Sequence, residues 1–112
     1  MRRNKYNARK TPCNFGHTHD SAREAKRCND LHILERAGEI THLETQKAFK
    51  FSIDGRAVKL KNGHHAGIKI DFLYRENGQA IAEDSKGFVV RDWPLRRAIF
   101  CALYPHIELR EV

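Results

Sequence analysis

The sequence predicts an α+β (α/β) domain, with one mixed sheet flanked by two helices. Three observations carry this. Two stretches, residues 21–37 and 92–103, place apolar side chains at helical spacing. Between them lie segments that alternate apolar and polar residues, punctuated by Asp54-Gly55 and Asn77-Gly78. The last six residues alternate again, after Tyr104-Pro105 has closed the second helix. At 112 residues the chain predicts a single domain.

Residues 1–12 carry Arg2, Arg3, Lys5, Arg9 and Lys10 with no acid and no apolar periodicity, which predicts a flexible basic arm; residues 13–112 form the domain. Residues 13–20 read as a loop or a short hairpin edge. Ser21-Ala22-Arg23-Glu24 fits a capping box, opening a helix that runs to about Ala37 with Gly38 as its stop. Its apolar stripe is Ala25, Cys28, Leu31 and Leu34, and Glu24 lies along the same face.

Residues 39–53 alternate as one long strand or two with a bend. A turn at Asp54-Gly55 leads to a short strand over 57–60, and residues 61–65 make a second turn or loop. Residues 66–75 and 80–86 form a hairpin around Asn77-Gly78. That hairpin makes Asp71 and Asp84 neighbours in space, with the register left open. Asp84 and Lys86 share one strand face, while Glu83 points to the other. Asp92 and Pro94 suit a helix start, and Leu95, Ala98, Ile99, Ala102 and Leu103 trace its predicted apolar stripe, with Arg96 and Arg97 off it. A final strand covers 107–112.

The formal net charge is +7, which favours an acidic partner, nucleic acid before anionic membrane. No apolar run is long enough for a membrane-spanning helix, and the charged N-terminus lacks the apolar stretch of a secretory signal. Three cysteines do not build a disulfide framework, so a reducing cytoplasmic setting is expected.

The chemistry concentrates in Ile70-Asp71-Phe72 and Glu83-Asp84-Ser85-Lys86-Gly87. Carboxylate oxygens on adjacent strands suit a hard divalent cation, and phosphodiester hydrolysis needs an activated water and neutralised phosphate charge. Asp71 and Asp84 are the candidate ligands, Lys86 the group that orients water or balances charge, and Glu24 an extension of the site. An aspartate inside the run 68–73 is costly to bury without a partner, although a solvent-facing position would explain it too.

In this order, Ser21-x-x-Glu24, Gln46, Ile70-Asp71-Phe72 and Glu83-Asp84-Ser85-Lys86-Gly87, the chain resembles the PD-(D/E)XK nuclease superfamily. More narrowly it resembles small phage and prophage proteins described as Holliday-junction-resolvase-like. The opening KYNARK, the segment HTHDSAREAKRCNDLHILERAGEI and the late basic helix closed by LYP carry the likeness over nearly the whole chain. The resemblance implies a restriction-endonuclease-like αβββαβ core and Mg2+-dependent endonuclease activity on DNA, with Mn2+ able to take the place of Mg2+. It makes Asp71, Asp84, Lys86 and Glu24 the catalytic set, with Asp71, Asp84 and Glu24 on the metal. Ile70 stands where the superfamily has proline, and Lys47 follows Gln46 where relatives commonly have proline. Gln46 is thus an additional candidate contributor beside the site, with His64 and His65 as further candidates. Branched or junction DNA is the substrate suggested, the host-cell cytoplasm the setting, and a homodimer suits paired incisions.

Three other readings stay open, one of them an interaction protein that has lost activity, against which the intact Asp71, Asp84 and Lys86 set argues. Cys13, His17, His19 and Cys28 form a Cys2His2 set at a spacing unlike a standard zinc finger, against which Cys28 reads as a buried structural thiol. A non-catalytic DNA-binding module would use the basic arm with Arg91, Arg96 and Arg97, but gains nothing from Asp71 and Asp84 against a polyanion. The aromatic residues read as core, with Trp93 the one placed to meet a base.

Overall fold

The computed structural model describes residues 11–13, 18–19, 21–85 and 92–112. Two short antiparallel strands, β1 (Thr11–Pro12) and β2 (Thr18–His19), precede the first helix. Ser21, in extended backbone, accepts the Glu24 N–H on its Oγ at 3.1 Å and starts α1 (Ala22–Arg36). Gly38, at φ +80°, ends it. There the Gly38 N–H donates to the Glu35 carbonyl and the Glu39 N–H to the Leu34 carbonyl, the paired bonds of a Schellman motif.

The chain then forms β3 (Thr41–Lys50), the small hairpin β4 (Ser52–Ile53) and β5 (Arg56–Ala57), and the long hairpin β6 (Gly67–Glu76) and β7 (Gln79–Asp84). Asn77 (φ 52°) and Gly78 (φ 79°) both take positive φ, as a two-residue type I′ turn requires. Gly67 opens β6 where no side chain fits: a Cβ there would lie 2.4 Å from the Phe49 carbonyl oxygen. After α2 (Trp93–Leu103), β8 (Ile107–Glu111) returns to the sheet. The sheet order is β3-β6-β7-β8, antiparallel except for the parallel β7-β8 pair that α2 connects. The fold is α+β with one mixed four-stranded sheet and two helices, and its main elements run helix, three strands, helix, strand.

Two apolar clusters hold the helices to the sheet. Ala25, Cys28 and Leu31 of α1 pack with Ile40, Phe72, Tyr74 and Ile81. Trp93 and Phe100 of α2 pack with Phe51, Ile68, Ile70 and Ala82. Strand β6 feeds both clusters, and the changeover falls between Ile70 and Phe72, at Asp71.

The α1 stripe is the expected one. The α2 stripe is met in part: Ile99 and Leu103 pack against the second cluster. Leu95 is 66 % exposed and Ala98 is exposed, while Trp93 and Phe100 are buried. Phe100 packs edge-on against Phe49, with Tyr104 alongside both. Large rings bury more apolar area than Leu or Ala, so they claim the sheet-facing side beside Ile99 and Leu103 and leave Leu95, Ala98 and Ala102 to solvent. Trp93 is therefore a core residue and is not exposed to stack on a base. The strand expected over 57–60 shortens to Arg56–Ala57, followed by a single bridge from Lys59 to His65.

Cys28 and Tyr74, both in the α1 cluster, resist ionisation. Burial, then the neighbouring Cys13 thiol and Glu24, push the Cys28 thiol from 9.0 up to about 12. Burial and the Glu83 carboxylate push the Tyr74 phenol from 10.0 up to about 12, against the opposing pull of Arg110 and Arg27. Both groups are neutral when protonated. Above pH 9 the unfolded chain sheds protons that the folded chain keeps, so stability is full below pH 9 and falls as pH rises towards about 12. Urea midpoints measured from pH 8 to 11 should drop steadily, and Tyr74→Phe should flatten the upper part of that drop. A flat profile would mean that neither group is protected.

Candidate metal centre

Residues 71 and 84 end up side by side because the two-residue turn sets the ladder. Glu76 pairs with Gln79 and Phe72 with Glu83, without a slip between them. Asp71 and Asp84 follow as the next pair along. The Asp71 N–H donates to Asp84 Oδ1 at 3.0 Å, and the Ser85 N–H donates to Asp71 Oδ2 at 2.8 Å. Each carboxylate is thus held by a main-chain donor at the end of the sheet. Asp84 is fully buried and Asp71 partly so, which overturns a solvent-facing surface position for Asp71.

Two carboxylates this close, one of them without solvent access, repel when both are ionised. A proton or a cation relieves that repulsion. Both groups offer hard oxygen donors, the chemistry that suits Mg2+ or Mn2+, and Mg2+ is commonly held by one or two protein carboxylates with the remaining positions left to water and substrate. The donor set fits such an ion.

Glu83 faces the other way, as the strand alternation predicts. Its carboxylate is fully buried yet completely engaged. Arg27 of α1 reaches it with Nε to Oε1 at 2.5 Å and Nη2 to Oε2 at 3.1 Å, and the Tyr74 hydroxyl donates to Oε2 at 2.7 Å. The bidentate pair ties α1 to β7 one residue before Asp84. The C-terminus of the chain supports the same strand, since the Val112 N–H donates to the Asp84 carbonyl at 3.0 Å.

Gln46 lies on β3 between Thr45, which pairs with Phe72, and Lys47, which pairs with Ile70. It therefore sits across from Asp71. Its φ of 52° is left-handed backbone, which a glutamine adopts at a cost and which marks a locally constrained strand.

The other expected members are distributed as follows. Glu24 is buried at the first turn of α1, on the side of Cys28. Among the described residues no three His, Cys, Asp or Glu side chains form a group able to hold a metal ion. Glu24, Asp71 and Asp84 therefore do not come together as a three-carboxylate group among the described residues. Lys86 lies outside the described residues, as do Arg2, Arg3, Lys5, Arg9, Lys10 and Arg91.

Arg96 and Arg97 are exposed but paired, Arg96 with Asp92 at 2.9 Å and Arg97 with Glu111 of β8. His65 has a structural role: its Nε2–H donates to the Phe51 carbonyl at 2.6 Å. His64 and His65 help line a groove of about 660 Å³ with Phe49, Phe51, Ile68 and Leu95, and neither Asp71 nor Asp84 is in its walls. Cys13 and Cys28 are buried neighbours outside any disulfide, with His32 Nδ1 3.6 Å from Cys28 Sγ. His17 and the side chain of His19 lie outside the described residues.

The family model of the "Protein of unknown function (DUF1064)" matches residues 3–112. The chain belongs to this family. The DUF1064 match spans the carboxylate pair, both helices and the whole sheet, so the architecture above is that of one family domain. Neither the curated proteins nor the solved structures include a match to this DUF1064 chain. Among the described residues, no helix is long and apolar enough to cross a membrane.

Proposed function

We propose that this protein is a divalent-cation-dependent endodeoxyribonuclease that hydrolyses DNA phosphodiester bonds, with Mg2+ as the physiological ion and Mn2+ as a substitute. The observation that carries the reading is the Asp71–Asp84 pair, one member fully buried, both anchored by main-chain N–H groups at the end of the sheet. A protein that only bound DNA would be weakened by two acids placed together, because they repel a polyanion. The net charge of +7 and the resemblance to PD-(D/E)XK nucleases support the same reading.

Asp71 and Asp84 would hold the ion, which when bound supplies charge neutralisation at the phosphate and a more acidic water. The chain's own residues do the rest. The Asp71 and Ser85 N–H groups fix one oxygen of each carboxylate at the end of the β6–β7 hairpin. Arg27, Glu83 and Tyr74 hold β7 against α1, so that Asp84 stays in register. Lys86 is the candidate to orient the attacking water. Junction or branched DNA as the preferred substrate, action as a homodimer and a cytoplasmic setting are part of the proposal on the same resemblance.

The test is cleavage of linear duplex, single-stranded and four-way-junction DNA with Mg2+, Mn2+ or EDTA, beside an Asp84→Ala variant. Metal-dependent cleavage that the variant lacks is expected. Protein that binds all three DNAs and cuts none with either ion would sink the proposal.

A further inference from the structure

The carboxylate pair handles one phosphate; a polyanion brings others, and they meet a different surface. A cleft of about 190 Å³ opens beside the pair, between the first turns of α1 and the ends of β7 and β8. Its walls are Arg23, Lys26, Arg27, Asp30, Ser85 and Val112. Two of these residues connect it directly to the candidate metal centre. The Ser85 main chain bonds Asp71 Oδ2, and the Val112 N–H bonds the Asp84 carbonyl.

We infer that this cleft is a phosphate subsite, in which Arg23 and Lys26 hold a DNA backbone phosphate next to the one presented to Asp71 and Asp84. The inference rests on the nuclease reading for the identity of the neighbouring site, and on the cleft's own chemistry for the anion. Arg23 and Lys26 stand three residues apart on α1, and so project from one face. Both are exposed. Arg27 has a different task in the same cleft: its guanidinium is committed to the buried Glu83, so it makes a fixed wall. Among the described lining residues Asp30 is the one acidic side chain, four residues after Lys26 on the same face.

This arrangement answers an electrostatic problem that the carboxylate pair creates. Two acids at the strand ends repel the strand they must meet, and mobile cations on the adjacent helix draw it in. Arginine grips phosphate through a planar fork and lysine as a point charge, so the two together suit a phosphodiester. Neither residue touches the pair. Both are therefore binding residues, expected to act on affinity and KM and to leave the chemical step alone.

The experiment uses the full chain and a fluorescent DNA duplex, with affinity followed by anisotropy from 50 to 300 mM salt. Four proteins are compared: wild type, Arg23→Ala/Lys26→Ala, Asp30→Asn, and a control with Lys59→Ala/Lys61→Ala on the loop before β6. Each phosphate contact contributes about 0.9 to the slope of log affinity against log salt, so the Arg23/Lys26 double variant should flatten that slope by roughly 1 to 2. Asp30→Asn should tighten binding, because it removes a repulsive charge from the cleft; a purely structural role for this face predicts no such gain. In cleavage assays the double variant should raise KM with kcat within about twofold of wild type.

An unchanged slope in the Arg23/Lys26 variant overturns the subsite. So does equal flattening in the Lys59/Lys61 control, which would mean bulk charge alone. If wild type cuts no DNA yet the slopes and the Asp30→Asn gain come out as stated, the nuclease reading fails and the anion subsite stands.

Discussion

Arg27→Met should lower the melting temperature by about 10–20 °C, the largest stability loss we expect from any single surface-reaching side chain. Glu83 is fully buried, and its neighbours are the Arg27 guanidinium and the Tyr74 hydroxyl. Removing one partner from a buried ion pair costs about 3–5 kcal/mol, because the remaining charge has no water to return to. Arg27 itself is 36 % exposed, so water partly replaces it and about 2–3 kcal/mol is the better figure. In a domain of this size that corresponds to the stated shift. Glu83→Gln should cost less, since the freed guanidinium can reach solvent while the amide still accepts from Tyr74. The double variant Arg27→Met/Glu83→Gln should recover part of the single Arg27 loss, a coupling that a double-mutant cycle reads directly. Arg27→Met melting within about 2 °C of wild type would show that the pair does not dock α1 on β7.

That ion pair also shows where sequence reading reaches its limit. Arg27 and Glu83 lie 56 residues apart, and no periodicity connects them. The alternation of β7 does say that Glu83 turns away from Asp84, and so that it must find a partner on the helix side. What it leaves open is which of the α1 cations supplies it. The start and end of α1 were legible because Ser21 and Gly38 mark them through their own backbone chemistry. The Asp71–Asp84 pairing was more legible than it first looks. A two-residue turn at Asn77-Gly78 pairs Glu76 with Gln79; five residues back is Asp71 and five on is Asp84, provided the ladder has no bulge. The neighbouring β3-β6 ladder shows why that condition matters, since it shifts register between Thr41 and Glu44, with His42 at φ 56°.

The buried face of helix α2 was legible only in part, at Ile99 and Leu103, for a physical reason. Its small apolar residues form a regular stripe, but Trp93 and Phe100 form a second one seven residues apart, and the larger rings win the sheet. Arg96 and Arg97 remain on the exposed side of α2 as the sequence places them, and their ion pairs with Asp92 and Glu111 are partners that periodicity does not show. Glu24 shares a face with Cys28, as the sequence places it, but among the described residues it forms no three-carboxylate group with Asp71 and Asp84.

Asp84→Asn should abolish metal-dependent DNA cleavage, by about a thousandfold or more, while leaving the metal-free protein at least as stable as wild type. The two halves of this prediction come from the same pair of side chains. The asparagine Oδ1 can still accept the Asp71 N–H, so the hydrogen bond that seats residue 84 is kept. One of two adjacent negative charges disappears, and with it their repulsion. A structural aspartate would behave differently: its loss would lower stability with or without metal. The divalent ion then separates the two cases. An ion that binds only the folded chain stabilises it by RT ln(1 + [L]/Kd), about 1.4 kcal/mol at ten times Kd, or roughly 5–10 °C. Wild type should show that rise on addition of Mg2+ or Mn2+, saturating with concentration, and Asp84→Asn should show little of it. Asp71→Asn should likewise lose the rise, because neither carboxylate alone matches the pair. If Mg2+ and Mn2+ leave the wild-type melting curve unmoved across the millimolar range, the pair holds no cation there and is a structural feature of the β6–β7 hairpin.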